Sequence, residues 1–575
     1  MSRRWRLAVA LLALTVMLGA PALAQTPPAT APTMPSPLRI ALVPLDDRPV
    51  CLQYPQMLAP IAYAEVVAPP LEDLGRFTTP GNTDAITRWM RAQDWSRIDA
   101  LIVSTDMLAY GGLVASRVHG VDQARALSRL AVLRDLKRAH PALPIYGFST
   151  IMRLAPTADG RNEAWREKLA RWAEMADDAR PGAERQELAT LVADIPAAAL
   201  ADYRRARARN RAVNLAAVQL VADRVVDFLV VSQDDAKPRG VHLADRQAVT
   251  SAVSEQDLVG RVGVQPGADE VAMLLLARAV LRARDLQLAM RVTYSSEAAR
   301  TMVAPFEDRR LHETVEFQLV AAGAGEARMD DPTDLHLFVF ASRHDPGRPA
   351  PFAADVVKAV DAGHRVIVAD VDPKGDVQGG STTFTDALLA AQVFPRLYGY
   401  ASWNTAGNTL GTAIPQGLLA AAGTWLAARC ASPAWASIAN AQATFMLHRV
   451  LNDYAYQGVL RPQVNAELRQ ANRTPLWLAD NASEVASRIQ QALAPTLAGY
   501  AAPFTAGPYV LRASRAPAVS VQLGAPRDLR VTLPWARTFE AAITFDVPVH
   551  LPVTAGSESR PYPPAPVPAC APTPP

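Results

Sequence analysis

Short apolar segments alternate with longer amphipathic segments over most of this chain. The apolar segments have the length and composition of strands and span residues 38–44, 63–68, 99–104, 144–149, 226–231, 260–265, 289–294, 334–341, 365–371 and 397–402. Between them, apolar residues recur at helical spacing in residues 83–94, 121–139, 161–179, 203–224, 269–284, 352–361 and 383–393. Strands that alternate with amphipathic helices are typical of βαβ units around a parallel sheet. The pattern predicts an α/β domain over residues 38–425.

Two architectures fit these strands. One is a single parallel β/α barrel that uses about eight of them, with the extra strands elsewhere. The other is a pair of doubly wound α/β sheets that face each other across a cleft and divide near residue 285. The strand count favours the two sheets, whereas polar clusters at the ends of nearly all strands favour the barrel. We predict a barrel-like core and keep the two sheets as the alternative.

The remaining segments differ in character from this domain. Residues 426–506 are mostly helical in pattern, and residues 507–552 contain short β runs that predict a small antiparallel unit. Residues 25–37 form a Pro-rich linker, and the Pro-rich tail at 553–575 is expected to be disordered.

The first 24 residues have the features of a secretory signal peptide. Three arginines precede an apolar stretch at 7–19, and Ala22 and Ala24 provide the small residues that signal peptidase requires. The apolar stretch is short for a membrane span, and no later run is long enough. We therefore expect an exported protein, periplasmic or secreted, with no membrane span after cleavage.

Charge and cysteine content narrow the function further. Removal of residues 1–24 takes away three arginines and no acid, so the formal charge falls from +3 to 0 (3 − 3). This balance gives no indication of a nucleic-acid partner. The three cysteines, Cys51, Cys430 and Cys570, leave open a bridge between Cys430 and Cys570, although three free thiols are our preferred interpretation. The sequence contains no paired-histidine or Cys-x-x-Cys motif, so it does not predict a zinc site of the usual kind.

Six of the strand-like runs end in clusters of polar residues. These clusters lie at residues 46–49, 104–112, 232–235, 267–270, 370–372 and 403–404. In parallel α/β folds a ligand binds beyond the carboxyl ends of the strands, where side chains from several strands converge. The sequence therefore predicts one carboxylate-rich site at that end of the sheet.

Asp234 and Asp235 are the candidate catalytic residues. They follow a strand that is almost entirely apolar, and a turn there would let both side chains face one ligand. Two consecutive acids at a strand end occur in glycosidases that use the N-acetyl group of their substrate, where one orients the acetamido group and the other protonates the leaving oxygen. We assign Asp235 as general acid and Asp234 as the orienting group. The competing interpretation is a loop cap that pairs with Lys237 or Arg239.

Other polar residues of the clusters are predicted to bind substrate. Trp403 could cover the apolar side of a sugar ring while the neighbouring asparagines bond its hydroxyls. The predicted substrate-binding residues are Asp46, Asp47, Arg48, Asp106, Tyr110, Arg117, Arg153, Trp403, Asn404 and Asn408.

Two further acidic clusters receive a different interpretation. We interpret Asp269 and Glu270 as helix N-terminal acids rather than catalytic groups, since the helix dipole favours acids there. Asp370 and Asp372 have the spacing of ligands for Ca²⁺ or Mg²⁺, but no complete calcium-binding loop follows them.

Several segments resemble a bacterial family known as domain of unknown function 4127. They are PLDDRP (44–49), STDMLAYGGLVASR (104–117), RLAPT (153–157), SQDDAKPRG (232–240), PGADE (266–270), YASWNTAGNTLGT (400–412) and LPWARTFE (533–540). The resemblance covers about residues 38–545. It implies that these segments form one unit, and it brings no established reaction.

Three functions remain open at this point. The first is a carboxylate-based hydrolase that acts on a glycan or amino sugar by acid/base chemistry. The second is a metal-dependent hydrolase in which the same acids bind a divalent cation. The third is a periplasmic sugar-binding protein without turnover. We favour the first, with a small-molecule or glycan substrate and no cofactor; a divalent cation is the alternative.

Overall fold

The computed structural model describes residues 36–160, 162–177, 181–328, 333, 335–341, 347–371, 379–429, 434–511 and 519–550. Several segments therefore lie outside the described residues. They are the predicted signal peptide, most of the linker, the whole Pro-rich tail, and the residues Asp372, Cys430 and Cys570. Cys51 is a buried free thiol. Within those residues, no helix combines the length and apolar character needed to cross a bilayer.

In the described part of the chain, the strands form two parallel sheets and two small antiparallel sheets. Their bounds are β1 Leu38–Val43, β2 Ala64–Val67, β3 Ala100–Ser104, β4 Ile145–Ile151, β5 Phe228–Gln233, β6 Val262–Pro266, β7 Ala289–Tyr294, β8 Gly325–Glu326, β9 Leu335–Phe340, β10 Arg365–Asp370, β11 Gly399–Ala401, β12 Tyr509–Leu511, β13 Val519–Leu523, β14 Arg527–Thr532, β15 Ala542–Asp546 and β16 Val549–His550.

The α-helices surround these sheets. Their bounds are α1 Gln53–Leu58, α2 Thr83–Ala92, α3 Thr105–Tyr110, α4 Leu113–Ser116, α5 Gln123–Arg129, α6 Ala131–Ala139, α7 Arg166–Met175, α8 Ala183–Asp194, α9 Ala197–Ala222, α10 His242–Glu255, α11 Val271–Ala283, α12 Glu297–Thr301, α13 Leu311–Ala321, α14 Pro349–Asp361, α15 Thr382–Ala390, α16 Ala406–Arg429, α17 Ala434–Arg449, α18 Arg461–Gln470 and α19 Ala482–Thr505. A π-helical segment, Val450–Leu460, joins α17 to α18.

The α/β class predicted from the sequence is confirmed, but the barrel is wrong. The first parallel sheet has the order β2-β1-β3-β4-β5-β6, and the second has the order β11-β10-β9-β7-β8. Both sheets are open, as in the alternative architecture, and the chain passes from one to the other between β6 and β7. Alternating strands and helices are common to both architectures, and only the strand order separates them.

The two parallel sheets follow the same winding rule. In each, the second strand lies on one side of the first strand and the third lies on the other, so the order reverses between β1 and β3 and between β7 and β9. A crevice opens beyond the carboxyl ends of the strands at such a reversal, and ligands of doubly wound folds bind there. The strand ends in both sheets therefore define the region of the candidate site.

One apolar core joins the two sheets. Helix α11 packs on β1, β3 and β4 of the first sheet and also packs along α16, which lies on β10 and β11 of the second. Apolar residues of both sheets and both helices belong to one buried cluster that includes Leu42, Leu275, Leu337 and Leu410. A large apolar interface of this kind holds two units in a fixed relation.

The C-terminal region packs against the second sheet and reaches the first. Helix α17 contacts β11, and α19 contacts the π-helical segment and β14. The β runs predicted as one unit form two sheets, β12-β13-β16 and β14-β15. After β14, the chain carries Trp535 and Glu540 to the end of β1.

Candidate carboxylate site at the strand ends

Arg48 is a buried cation at the end of β1, between two carboxylates. Its guanidinium donates to Asp46 at 2.7 Å and 2.9 Å, and to both carboxylate oxygens of Asp269 at 2.6 Å and 2.9 Å. Burial lowers the pKa of Arg48, but the charges of Asp269 and Asp46 outweigh it and hold that pKa above its ordinary value. Glu540 lies 3.9 Å away on the other side. These hydrogen bonds and ion pairs fix the turn after β1.

Asp234 and Asp235 follow β5 and pair with two different arginines. Asp234 accepts a hydrogen bond from Arg117 at 2.6 Å, and Asp235 accepts one from Arg153 at 2.7 Å. Asp235 has a left-handed backbone with φ of 40°, which supplies the turn that lets both acids face the same region.

The interpretation in which these acids pair with Lys237 or Arg239 does not describe this structure. Lys237 bonds Glu174, and Arg239 bonds Glu184. The partners of Asp234 and Asp235 instead come from the loops after α4 and β4. The acids are thus held by residues that themselves were predicted to bind substrate.

A shallow depression collects acids and amides from both halves of the chain. It is lined by Asp234, Asp235, Gly267, Ala268, Asp269, Phe306, Glu307, Asn404, Thr405 and Asn408. A second depression shares Asp269 and Asn404 with it and adds Arg48, Trp403 and Glu540. Each encloses about 20 Å³, which is room for one water molecule. A single functional group of a ligand could enter, while the rest would lie outside.

Glu307 is buried in the wall of the first depression. Its Oε1 accepts a hydrogen bond from the backbone N–H of Gly407 at 2.9 Å. Its Oε2 is buried and has no hydrogen-bond partner among the described residues. Burial raises the pKa of Glu307 to about 8, and the negative charges of Glu270 and Asp235 act in the same direction. Glu307 therefore carries its proton at neutral pH.

Glu270 lies behind this wall at the start of α11. Its carboxylate accepts hydrogen bonds from Asn408 Nδ2 at 2.8 Å and from Gln318 Nε2 at 3.3 Å. Burial raises the pKa of Glu270 to about 7. Gly411 of α16 makes room for it, because a Cβ at that position would lie 2.2 Å from Glu270 Cγ.

The predicted asparagines lie in the turn after β11 and in the first turn of α16. Asn404 has φ of 56° and donates from Nδ2 to Asn408 Oδ1 at 2.6 Å. Trp403 is only 8% exposed, donates from its indole N–H to Thr412 at 3.1 Å, and packs edge-on against Tyr54. A ring packed in this way offers little of its face to a sugar.

Three predicted substrate-binding residues neither line a depression nor bond a residue that does. Asp47 accepts a hydrogen bond from the indole of Trp535 at 2.6 Å and lines a different cavity. Asp106 is buried, accepts a bond from the backbone N–H of Thr150 at 2.8 Å, and has a pKa raised by burial to about 7. Tyr110 is buried with the guanidinium of Arg209 4.1 Å from its ring centroid.

Arg117 links the depression to a larger cavity. It donates to Asp234 with one terminal nitrogen and to Thr157 at 2.9 Å with the other. The cavity on the Thr157 side has a volume of about 410 Å³ and is lined mainly by apolar residues, including Val114, Trp165 and Leu169. That volume lies within the range of small-molecule sites.

No metal centre is built from the described residues. Within them, no group of three or more His, Cys, Asp or Glu side chains has an arrangement that could hold a metal ion. Asp370, one of the two predicted cation ligands, is buried and accepts a hydrogen bond from the backbone N–H of Ser381 at 2.6 Å.

The site also contains residues that sequence reasoning did not assign to it. Glu270 and Glu540 belong to the quoted segments PGADE and LPWARTFE, so a motif was present for each. Glu307 lies in none of them. The backbone N–H that bonds it belongs to Gly407, which is 100 residues away along the chain.

Comparison with known proteins gives a family and no activity. The model of a family described as "Protein of unknown function (DUF4127)" matches residues 40–544. No curated protein matches. A crystal structure of NtrX from Brucella abortus in complex with ATP is 10% identical and covers 80% of this chain and 96% of its own, but its TM-score of 0.11 carries no information on the fold. The family match spans nearly the whole described chain, so this protein belongs to the DUF4127 family.

Proposed function

We propose that this protein is an exported hydrolase that uses a protonated and an ionised carboxyl group on a glycan or amino sugar. Glu307 would be the general acid, and Asp235 would be the general base or the nucleophile. The sequence alone favoured Asp235 as the acid, but its ion pair with Arg153 suits a group that acts in its charged form. Asp234, paired with Arg117, would orient the substrate.

The observation that carries this proposal is the contrast between Glu307 and Asp235 in one depression. Within the described part of the chain, Glu307 is buried without a counter-ion, whereas Asp235 is paired with a guanidinium, and two carboxyl groups in such different environments suit acid/base hydrolysis. The side chain of Asp235 is 33% exposed, so water and substrate can reach it. Glu307 has a buried oxygen with no partner among the described residues, and that oxygen can carry the proton to be donated.

A hydroxylated ligand suits the other groups at this site. Asn404 and Asn408 provide amide donors and acceptors, and Arg117 provides a guanidinium. The adjoining cavity beside Thr157 would hold the leaving group or the next residue of the substrate. Its apolar wall would suit an acetyl, acyl or aryl substituent, since burial of apolar surface stabilises the complex.

Export rests on the amino-terminal sequence. Basic residues, a short apolar stretch and two small residues before the linker are the features that the secretion machinery reads. The proposed substrate would then be found outside the cytoplasm.

The proposal is tested with a panel of 4-methylumbelliferyl glycosides and soluble cell-wall fragments, with and without EDTA. We expect turnover of at least one amino-sugar substrate, unchanged by EDTA. Asp235→Asn and Glu307→Gln should each lower kcat/KM by about 10²–10⁴-fold. The matched control is Glu316→Gln, the same change at an exposed position of α13, which should retain full activity.

Three outcomes would contradict the proposal. Tight binding of a sugar with no turnover would indicate a binding protein. Turnover abolished by EDTA and restored by one cation would indicate a metal-dependent hydrolase. Full activity in Asp235→Asn would place the chemistry elsewhere.

A further inference from the structure

A cavity in the C-terminal region is lined by three arginines and by no acidic residue. It has a volume of about 520 Å³ and is formed by α18, the loop that follows it, and the segment after β14. Its lining residues are Arg461, Asn465, Arg469, Asn472, Arg473, Thr474, Pro475, Leu476, Thr538 and Phe539. We propose that this basic pocket, the cavity defined by these residues, binds a small ligand that carries two or more carboxylate or phosphate groups.

The positive charge of the basic pocket is not neutralised by acids of its own wall. Arg469 and Arg473 form no ion pair among the described parts of the chain. The nearest acids in sequence have other partners, because Glu467 pairs with Arg488 and Glu540 pairs with Arg537. Cations that share a cavity repel one another, and a bound anion reduces that repulsion.

Arg461 is a partly buried cation at one side of this cavity. Burial lowers the pKa of Arg461, and the positive charges of Arg537 and Arg469 act in the same direction, against Tyr456 and Glu540. Its guanidinium lies 4.9 Å from the ring centroid of Phe539 and donates to Gln457 at 3.2 Å. The ring and the amide hold this cation in place at one side of the cavity.

Arg473 supplies an unused donor. Its Nη2 is buried and has no hydrogen-bond partner among the described residues. A buried donor without a partner is unfavourable, and a carboxylate or phosphate oxygen would satisfy it. Guanidinium groups bind both anions through paired hydrogen bonds, so three of them suit a ligand with more than one anionic group.

The size of the basic pocket favours an anion larger than a single phosphate ion. A volume of about 520 Å³ exceeds what one phosphate ion fills and lies within the range of sites for small molecules. Asn465, Asn472 and Thr474 could bond neutral hydroxyl groups of the same ligand. This inference is independent of the proposed hydrolase activity, although Phe539 lines both the basic pocket and the depression beside Arg48.

Isothermal titration of the mature protein tests the inference with citrate and with inorganic phosphate as probes. Ionic strength is held constant with NaCl, because salt screens surface charge. We expect saturable binding of one or both probes and a rise in melting temperature. Binding of citrate alone would identify a polycarboxylate ligand, and binding of phosphate alone would identify a phosphorylated one.

Variants locate the site. Arg469→Ala and Arg473→Ala should each weaken binding at least tenfold, and Arg469 is exposed, so its removal leaves the fold intact. Arg469→Lys, which keeps the charge, should restore much of the binding. Arg138→Ala, an exposed arginine outside the pocket, is the control and should bind as wild type does. No binding beyond the NaCl baseline, or equal binding in the two alanine variants and wild type, would overturn the inference.

Discussion

Arg48 and Asp269 are 221 residues apart in the sequence and form a two-point ion pair in the structure. The first follows β1, and the second follows β6, so the pair ties together strand ends from opposite sides of the first sheet. Both side chains are buried, and Asp46 closes the group from the other side. The pair positions Asp269 in the wall that the two depressions share.

Loss of Arg48 should therefore destabilise the fold strongly. Arg48→Met keeps most of the side-chain volume but leaves Asp46 and Asp269 buried without a counter-charge. Removal of one partner from a buried pair costs about 3–5 kcal/mol, which urea unfolding would measure at pH 7. Arg39→Met is the matched control, because Arg39 pairs with Glu65 at the surface and such pairs contribute only about 0–1 kcal/mol. Equal effects of the two changes would contradict a structural role for the Arg48 cluster.

Stability should depend on pH through Glu307. Its pKa is raised from an ordinary value of 4.5 to about 8. Below pH 4.5 the carboxyl group is neutral in both the folded and the unfolded chain, so its ionisation does not lower the unfolding free energy. As the pH rises towards 8, the unfolded chain gains the charged form that the folded protein excludes, and the unfolding free energy falls.

Glu307→Gln removes this loss, because glutamine does not ionise. The melting temperature of the variant minus that of wild type should therefore be larger at pH 8 than at pH 5. Scanning calorimetry at both pH values measures the change, with Glu316→Gln as control. A difference that is the same at both pH values would show that Glu307 does not hold its proton in the folded state.

Activity should fall at high pH, when the proposed general acid loses its proton. If Glu307 donates the proton, kcat/KM on the substrate found in the panel should fall above about pH 8, where the raised pKa of Glu307 lies. Glu307→Gln should lack that descending limb in whatever residual activity remains. A descending limb that persists in the variant would assign the acid to another group.

The contact between α16 and Glu270 should be sensitive to one methyl group. Gly411→Ala places a Cβ 2.2 Å from Glu270 Cγ, and overpacking of this kind costs about 1–3 kcal/mol. Gly499→Ala is the matched control, because a Cβ at this position of α19 meets nothing within 4 Å and alanine favours a helix over glycine by about 1 kcal/mol. Thermal unfolding should separate the two variants in opposite directions, and a stabilised Gly411→Ala would contradict the close packing of α16 on Glu270.

Much of the local structure was predictable because buried parallel strands are apolar on both faces. Each of the ten predicted strands has a counterpart among β1–β7 and β9–β11. The one missed strand of the parallel sheets, β8, has two residues, and no periodicity can show in so short a segment. The choice between a barrel and two sheets depends on which strands pair, and that information lies in contacts between distant residues.

The candidate site was predictable in part for the same reason. Asp234, Asp235, Asn404 and Asn408 meet because each follows a strand of a parallel sheet. Glu270 was assigned to the helix dipole, which is a local explanation, whereas its burial comes from α16. Glu307 carries no local signal. Its raised pKa arises from burial, and its backbone hydrogen bond comes from Gly407 at the start of α16.

The shared core of α11 and α16 also bears on how a ligand arrives. Because both sheets are anchored to the same buried helices, the walls of the depression are set during folding and do not wait for a domain to swing shut. A ligand therefore meets a surface whose donors and acceptors already have their final positions. If the proposed substrate binds here, its recognition depends on fit at first encounter, because the shared core leaves no closure of one sheet on the other to reshape the site.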